Sequence, residues 1–265
     1  TYTINIRSSG KYDRPYSELD DGILACSDPS FDRWTNLVHL SVDNVIITRP
    51  ILNSMKSLLY LPLAKDPSGN SDDEEYRWIS VTFNDCIFAD RKRLPSYAPE
   101  HDYVHITDAH VFFSTLARRA LRVSINDSPS MVSNFLSLDH HFYFSSDVWK
   151  IIQHRALSRK ECLTLVDILW NSDDLKSLVL HMPFEDGVHE LFKGFADSVN
   201  LRELYLFDNW NRQVPRHDFA DLLVRDWEKA MDGSIMRLLR NPQNQLRKLT
   251  LSNLGLQDHH LSVLL

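Results

Sequence analysis

Three short stretches of this chain share one leucine spacing, and that spacing limits the fold more than any other feature. Leu175-Lys176-Ser177-Leu178-Val179-Leu180, Leu201-Arg202-Glu203-Leu204-Tyr205-Leu206 and Leu246-Arg247-Lys248-Leu249-Thr250-Leu251 all read LxxLxL. On a β-strand, alternate side chains point to opposite faces. The last two leucines of each motif therefore face one side, and the residues around them face the other. Leu178, Leu180, Leu204, Leu206, Leu249 and Leu251 are predicted to be buried and stacked in parallel strands. The motifs begin at residues 175, 201 and 246, and the wider second interval predicts a long insertion.

Weaker versions lie upstream. Leu37, Leu40 and Val42 give LxxLxV, and Tyr76, Ile79 and Val81 give a degenerate form followed by Asn84 and Cys86. Val104 with Ile106, Val123 with Ile125, and Phe142 with Phe144 read as shorter strands, and Tyr2–Ile6 as the first one. Between these strands the apolar period changes from two to about 3.6, as in helices. Ser158 and Glu161 form a capping box ahead of Cys162, Leu165, Val166, Leu169 and Trp170. Asp186 caps a helix carrying Val188, Leu191, Phe192 and Phe195, and Ser128-Pro129 begins another. Asp218 starts a helix through Leu222, Leu223 and Trp227, and Asn241-Pro242 ends one containing Ile235, Leu238 and Leu239. Surface loops are expected over 66–75, 92–102 and 208–218.

Short strands alternating with helices also suit a doubly wound parallel sheet. The shared leucine pattern of the strands favours a solenoid instead. The last motif continues as Ser252-Asn253-Leu254-Gly255-Leu256, followed by Asp258 and Leu261. From Leu175 onward the chain resembles the leucine-rich repeats of the ribonuclease-inhibitor-like class; the likeness is patchy over 37–174. The resemblance implies an α/β fold: a curved leucine-rich-repeat solenoid with irregular repeats and loop insertions. It would span residues 37–265 behind an N-terminal cap or leading segment over 1–36. It further implies an intracellular interaction scaffold, since such proteins include inhibitors of other proteins and the sensor regions of immune receptors.

Composition narrows the function. A net charge of −7 argues against a general nucleic-acid binder, which is normally basic. Seven glycines in 265 residues leave little for a glycine-rich phosphate cradle. Cys26, Cys86 and Cys162 are far apart, without the spacing of a zinc site or a disulfide framework, and point to a reducing, cytoplasmic setting. No apolar run reaches the ~20 residues of a membrane span. Asp139-His140-His141 and Asp258-His259-His260 spell the opening of a phosphoesterase motif, but two-metal chemistry needs further aspartates. Cys162 reads as a buried hydrophobe rather than a nucleophile. The expectation is therefore a non-enzymatic module with no cofactor and no metal, whose partner is another protein. Its binding patch is expected at Val179, His181, Tyr205, Phe207 and Lys248, with Trp210 just beyond, because strand alternation sets them opposite the leucines. Aromatic residues are enriched in interface hot spots. The apolar chain end, Leu261 to Leu265, is expected to allow self-association through an uncapped edge. Two other readings stay open: an α/β enzyme with an unrecognised site, and a structural segment of a larger regulatory protein.

Overall fold

A computed structural model describes residues 2–7, 38–59, 78–89, 103–137, 146–172, 174–183, 188–198, 200–208 and 236–253. The chain divides into two compact units, Thr1–Phe135 and Leu136–Leu265.

The first unit contains strands β1 (Tyr2–Arg7), β2 (Val38–Asp43), β4 (Trp78–Asn84) and β6 (Ala120–Asn126), ordered β1-β2-β4-β6 and all parallel. Two-residue strands β3 (Ile46–Ile47) and β5 (Ile87–Phe88) pair separately, also in parallel. The helices are α1 (Arg49–Leu59), α2 (Ile106–Arg119) and α3 (Pro129–Phe135). Alternation divides each strand cleanly. Leu40, Val42, Val81, Phe83, Val123 and Ile125 are buried, whereas Ser41, Thr82 and Ser124 between them are half-buried. Helix α1 offers Ile51, Leu52, Met55, Leu58 and Leu59 to the core at i, i+1, i+4, i+7 and i+8, one helical face. Phe112 and Phe113 of α2 meet Phe83, Phe88 and Phe135 edge-on at 5.2–5.9 Å between ring centres, the geometry that ring quadrupoles prefer.

Strands β2, β4 and β6 turn off in the same way. Asn44, Asp85 and Asp127 follow them with φ of 55°, 49° and 46°, a left-handed conformation that short Asn and Asp side chains tolerate. The amide of Asn44 donates to Asn84 O at 2.8 Å, and that of Asp85 to Asn126 O at 2.9 Å, so the bend remains hydrogen-bonded across strands. Behind it, Ser128 Oγ accepts from the Cys86 amide at 2.8 Å and donates to Asn126 O at 2.8 Å.

The second unit contains β7 (Val148–Ile152), β8 (Ser177–His181), β9 (Glu203–Phe207) and β10 (Lys248–Ser252), ordered β7-β8-β9-β10 and parallel. Its helices are α4 (Arg159–Asn171), α5 (Val188–Asp197) and α6 (Met236–Arg240). The capping box at Ser158 forms as the sequence predicts: Ser158 Oγ accepts from Glu161 N at 3.3 Å, and the Glu161 carboxylate accepts from Ser158 N at 2.8 Å. Arg155 grips the same carboxylate at 2.8 and 3.1 Å. Cys162, Leu165, Val166 and Leu169 are buried as predicted, but Trp170 lies on the exposed side at 52%.

The expected curved solenoid is corrected. The eight long strands begin at residues 2, 38, 78, 120, 148, 177, 203 and 248, with no fixed period, and the helices run from 5 to 14 residues. A solenoid stacks one repeated unit. Here two α/β units each hold a parallel sheet with connecting helices, and β3 and β5 lie off the main ladder. The leucine motif records a parallel strand buried on one face, which such sheets produce without any repeat. Three smaller expectations also change. Ile106 opens α2 rather than ending a strand, because Ala109, Phe112, Phe113, Leu116 and Ala117 set a helical period. Leu249 and Leu251 are half-buried, since β10 pairs only with β9 among the described residues. Strand β7, carrying buried Trp149 and Ile151, lies outside every expected strand. Phe142, Phe144, the cap at Asp186, the helix from Asp218, both Asp-His-His motifs, the loops over 66–75 and 92–102, the loop over 208–218 past Asp208, and Leu261 to Leu265 fall outside the described residues.

Helices α4 and α5 approach so closely that Gly194 has no room for a side chain: an added Cβ would overlap the Val166 methyl groups. Gly194→Ala is expected to destabilise by about 1–3 kcal/mol, the usual cost of overpacking. Adding Val166→Ala should recover part of that loss. Chemical denaturation of the two single variants and the double variant measures the coupling; additive losses would contradict the close approach.

Candidate functional site

The residues singled out in the sequence, Trp210 apart, lie on the open face of the second unit's sheet, and the ladder register places them in rows. One row is Val148, Ser177, Glu203 and Lys248; the next is Lys150, Val179, Tyr205 and Thr250; the third is Ile152, His181, Phe207 and Ser252. Neighbouring strands stand about 4.8 Å apart, so each row is a continuous strip. Opposite them, Leu178, Leu180, Leu204 and Leu206 are 0–1% exposed. Val179, His181, Tyr205 and Phe207 are half-buried, and Lys248 is exposed. Trp210 lies outside the described residues.

These side chains are arranged against one another. The His181 and Phe207 rings lie 5.6 Å apart, tilted by 54°. Lys248 Nζ sits 5.0 Å from the centre of the Tyr205 ring, within cation–π range. Tyr205 donates its hydroxyl hydrogen to Glu203 Oε2 at 3.0 Å, and Ser177 Oγ donates to the same oxygen at 3.3 Å. Hydrogen bonding and attraction to Tyr205, with help from Glu203, hold the Lys248 ammonium above the ordinary lysine pKa. Lys248 thus remains charged at neutral pH while Glu203 fixes the phenol. The result is an amphipathic strip: cation and carboxylate at the strand starts, aromatic and aliphatic surface further along.

The first unit's open face is a contrast that the sequence reading missed. Past the Trp78–Ala120 pair at its start, its rows are Thr3, His39, Ser80 and Arg122, then Asn5, Ser41, Thr82 and Ser124, then Arg7, Asp43, Asn84 and Asn126. All are polar, and many bond one another. Arg7 Nε donates to Asp43 Oδ2 at 2.9 Å, and Ser41 Oγ to Asp43 Oδ1 at 3.1 Å. Asn84 Nδ2 also donates to Asp43 Oδ1. Asn126 Nδ2 donates to Asn84 Oδ1 at 2.6 Å, and Ser124 Oγ to Asn126 Oδ1 at 3.2 Å. His39 Nδ1 and Ser80 Oγ are 2.5 Å apart. A signal for this ladder was present: the dipeptides Asp43-Asn44, Asn84-Asp85 and Asn126-Asp127 recur 41 and 42 residues apart.

The two described cysteines are free, buried thiols. Burial pushes both up to about 12, the reverse of the lowered value a nucleophilic thiol needs. Among the described residues, no helix is long and apolar enough to cross a membrane. Comparison of the sequence with protein-family models and with curated proteins finds no match.

Asp43 supplies a pH test of the ladder. Burial pushes its carboxyl up, but hydrogen bonds from Asn84, Arg7 and Ser41 outweigh that and hold it below the ordinary 3.8. A carboxyl whose folded pKa is lowered adds stability above its unfolded value and loses it as pH falls through the folded one. Asp43→Asn should therefore be less stable than the parent at neutral pH, with the gap closing as the pH drops below about 4. Thermal unfolding across pH 3–7 reads this out; a constant gap would show that the charge of Asp43 contributes nothing.

Proposed function

We propose that this protein is a binding module that recognises another protein through the open sheet face of its second unit, around Val179, His181, Tyr205, Phe207 and Lys248. The observation that carries this reading is the difference between the two open faces. The first unit's polar groups bond one another across four strands. The second presents half-buried aromatic rings beside a charged lysine. Rigid aromatic surface next to a cation favours association, because few rotamers are lost and the apolar area leaves water on binding. The cytoplasm suits the module, since Cys86 and Cys162 stand as free thiols.

The test uses position 205. A photoreactive benzoylphenylalanine in place of Tyr205 should yield a discrete protein adduct in cells, and Phe207→Ala should diminish it. The same probe in place of Thr82, on the polar face, should yield none. With the captured partner in hand, Tyr205→Ala/Phe207→Ala should weaken binding by about 2 kcal/mol or more while leaving the fold intact. Unfolding of the double variant would place both rings in the core. Normal binding by a folded double variant would remove the site from this face.

A further inference from the structure

Cations gather where the strands of the second unit begin. Backbone bonds cross the sheet there: Lys176 N donates to Asp147 O at 2.9 Å, Arg202 N to Lys176 O at 2.7 Å, and Arg247 N to Arg202 O at 2.7 Å. Asp147, Lys176, Arg202 and Arg247 therefore stand in one row just ahead of Val148, Ser177, Glu203 and Lys248. Lys176 pairs with Asp147 at 3.1 Å. Arg247 and Lys248 are exposed, and so is Lys150, two residues into β7. Arg202 is half-buried, and its Nε is sealed from water without a hydrogen-bond partner.

This is a local inversion of charge. The whole chain carries −7, yet this edge assembles Lys150, Lys176, Arg202, Arg247 and Lys248 against Asp147, Asp174 and Glu203. Two of the three carboxylates are engaged: Asp147 by Lys176, and Glu203 by the hydroxyls of Ser177 and Tyr205. An excess of positive charge among the described residues, beside an apolar strip, sets the chemistry of what fits there.

We propose that the open face of the second unit takes an acidic segment of its protein partner. Carboxylates lie at the exposed Lys150, Arg247 and Lys248, and an apolar side chain rests on Val179, His181 and Phe207. This assignment rests on the binding reading above and adds the chemistry of the partner. Complementary charge of this kind sets specificity and speeds encounter. A nucleic-acid strand is disfavoured because its unbroken phosphates would run past the Glu203 carboxylate, whereas an acidic peptide can space its charges around it.

The experiment titrates three labelled probes into the intact protein: a short peptide of alternating Glu and Leu, its Lys and Leu counterpart, and a single-stranded RNA oligonucleotide. The Glu–Leu peptide should bind, more weakly as salt rises, and the other two should not. Arg247→Glu/Lys248→Glu should weaken it by at least about tenfold. Lys150→Glu, at a single exposed position, serves as the second variant if circular dichroism shows the first misfolded. Equal binding of both peptides, an unchanged affinity in a folded charge-reversed variant, or tighter binding of the RNA overturns the proposal. Cross-linking from position 205 separates the two failures. A protein adduct that survives alongside a failed Glu–Leu titration sinks only the acidic assignment. Loss of the adduct sinks the site itself.

Discussion

In-register parallel pairing sets Leu178 beside Leu204 and Leu180 beside Leu206, and all four are sealed from water. Burying a leucine side chain contributes about 1.5–3 kcal/mol, so this stack anchors the second unit. It also fixes the other face. Because the side-chain period of a strand is two, a register that puts these leucines inside must put Val179, His181, Tyr205 and Phe207 outside, and a one-residue slip would reverse both sets. Core and candidate site are thus two outcomes of one pairing.

The first unit obeys the same rule with different residues. Leu40, Val42, Val81, Phe83, Val123 and Ile125 fill its inner face, and the outer face carries serine, threonine, asparagine, aspartate and histidine. Many of those outer groups hydrogen-bond across strands, from Arg7 through Asp43 and Asn84 to Asn126. Groups already satisfied by each other gain little from a partner. The aromatic strip of the second unit has more to gain, because its half-exposed apolar surface still meets water.

Sequence reading located the strands best where leucine alternation was strong. It found β8 and β9 with the correct inner and outer residues. It found the capping box at Ser158, because that signal is local and depends on two residue types at fixed spacing. It failed on long-range order. The solenoid came from reading a one-face burial pattern as a repeat, and alternation alone carries no information about what lies between strands. Helix α1, whose buried residues keep a regular helical spacing, was legible but lacked leucine-motif context. Val104-His105-Ile106 looked extended over three residues, and only the apolar period from Ala109 to Ala117 reveals α2. The polar ladder depends on Asp43, Asn84 and Asn126 meeting across strands more than forty residues apart, a tertiary fact announced only by the recurring Asx pairs.

The binding surface exists only if the outer side of β8 and β9 is wet. Hydroxyl-radical footprinting read by mass spectrometry measures that directly, residue by residue. Tyr205 and Phe207 should be oxidised readily in the native protein, while Phe192, Phe195 and Trp149, each 1% exposed, should stay protected until unfolding. If Tyr205 and Phe207 prove as protected as Phe192, the strands are buried on both faces and the binding surface does not exist.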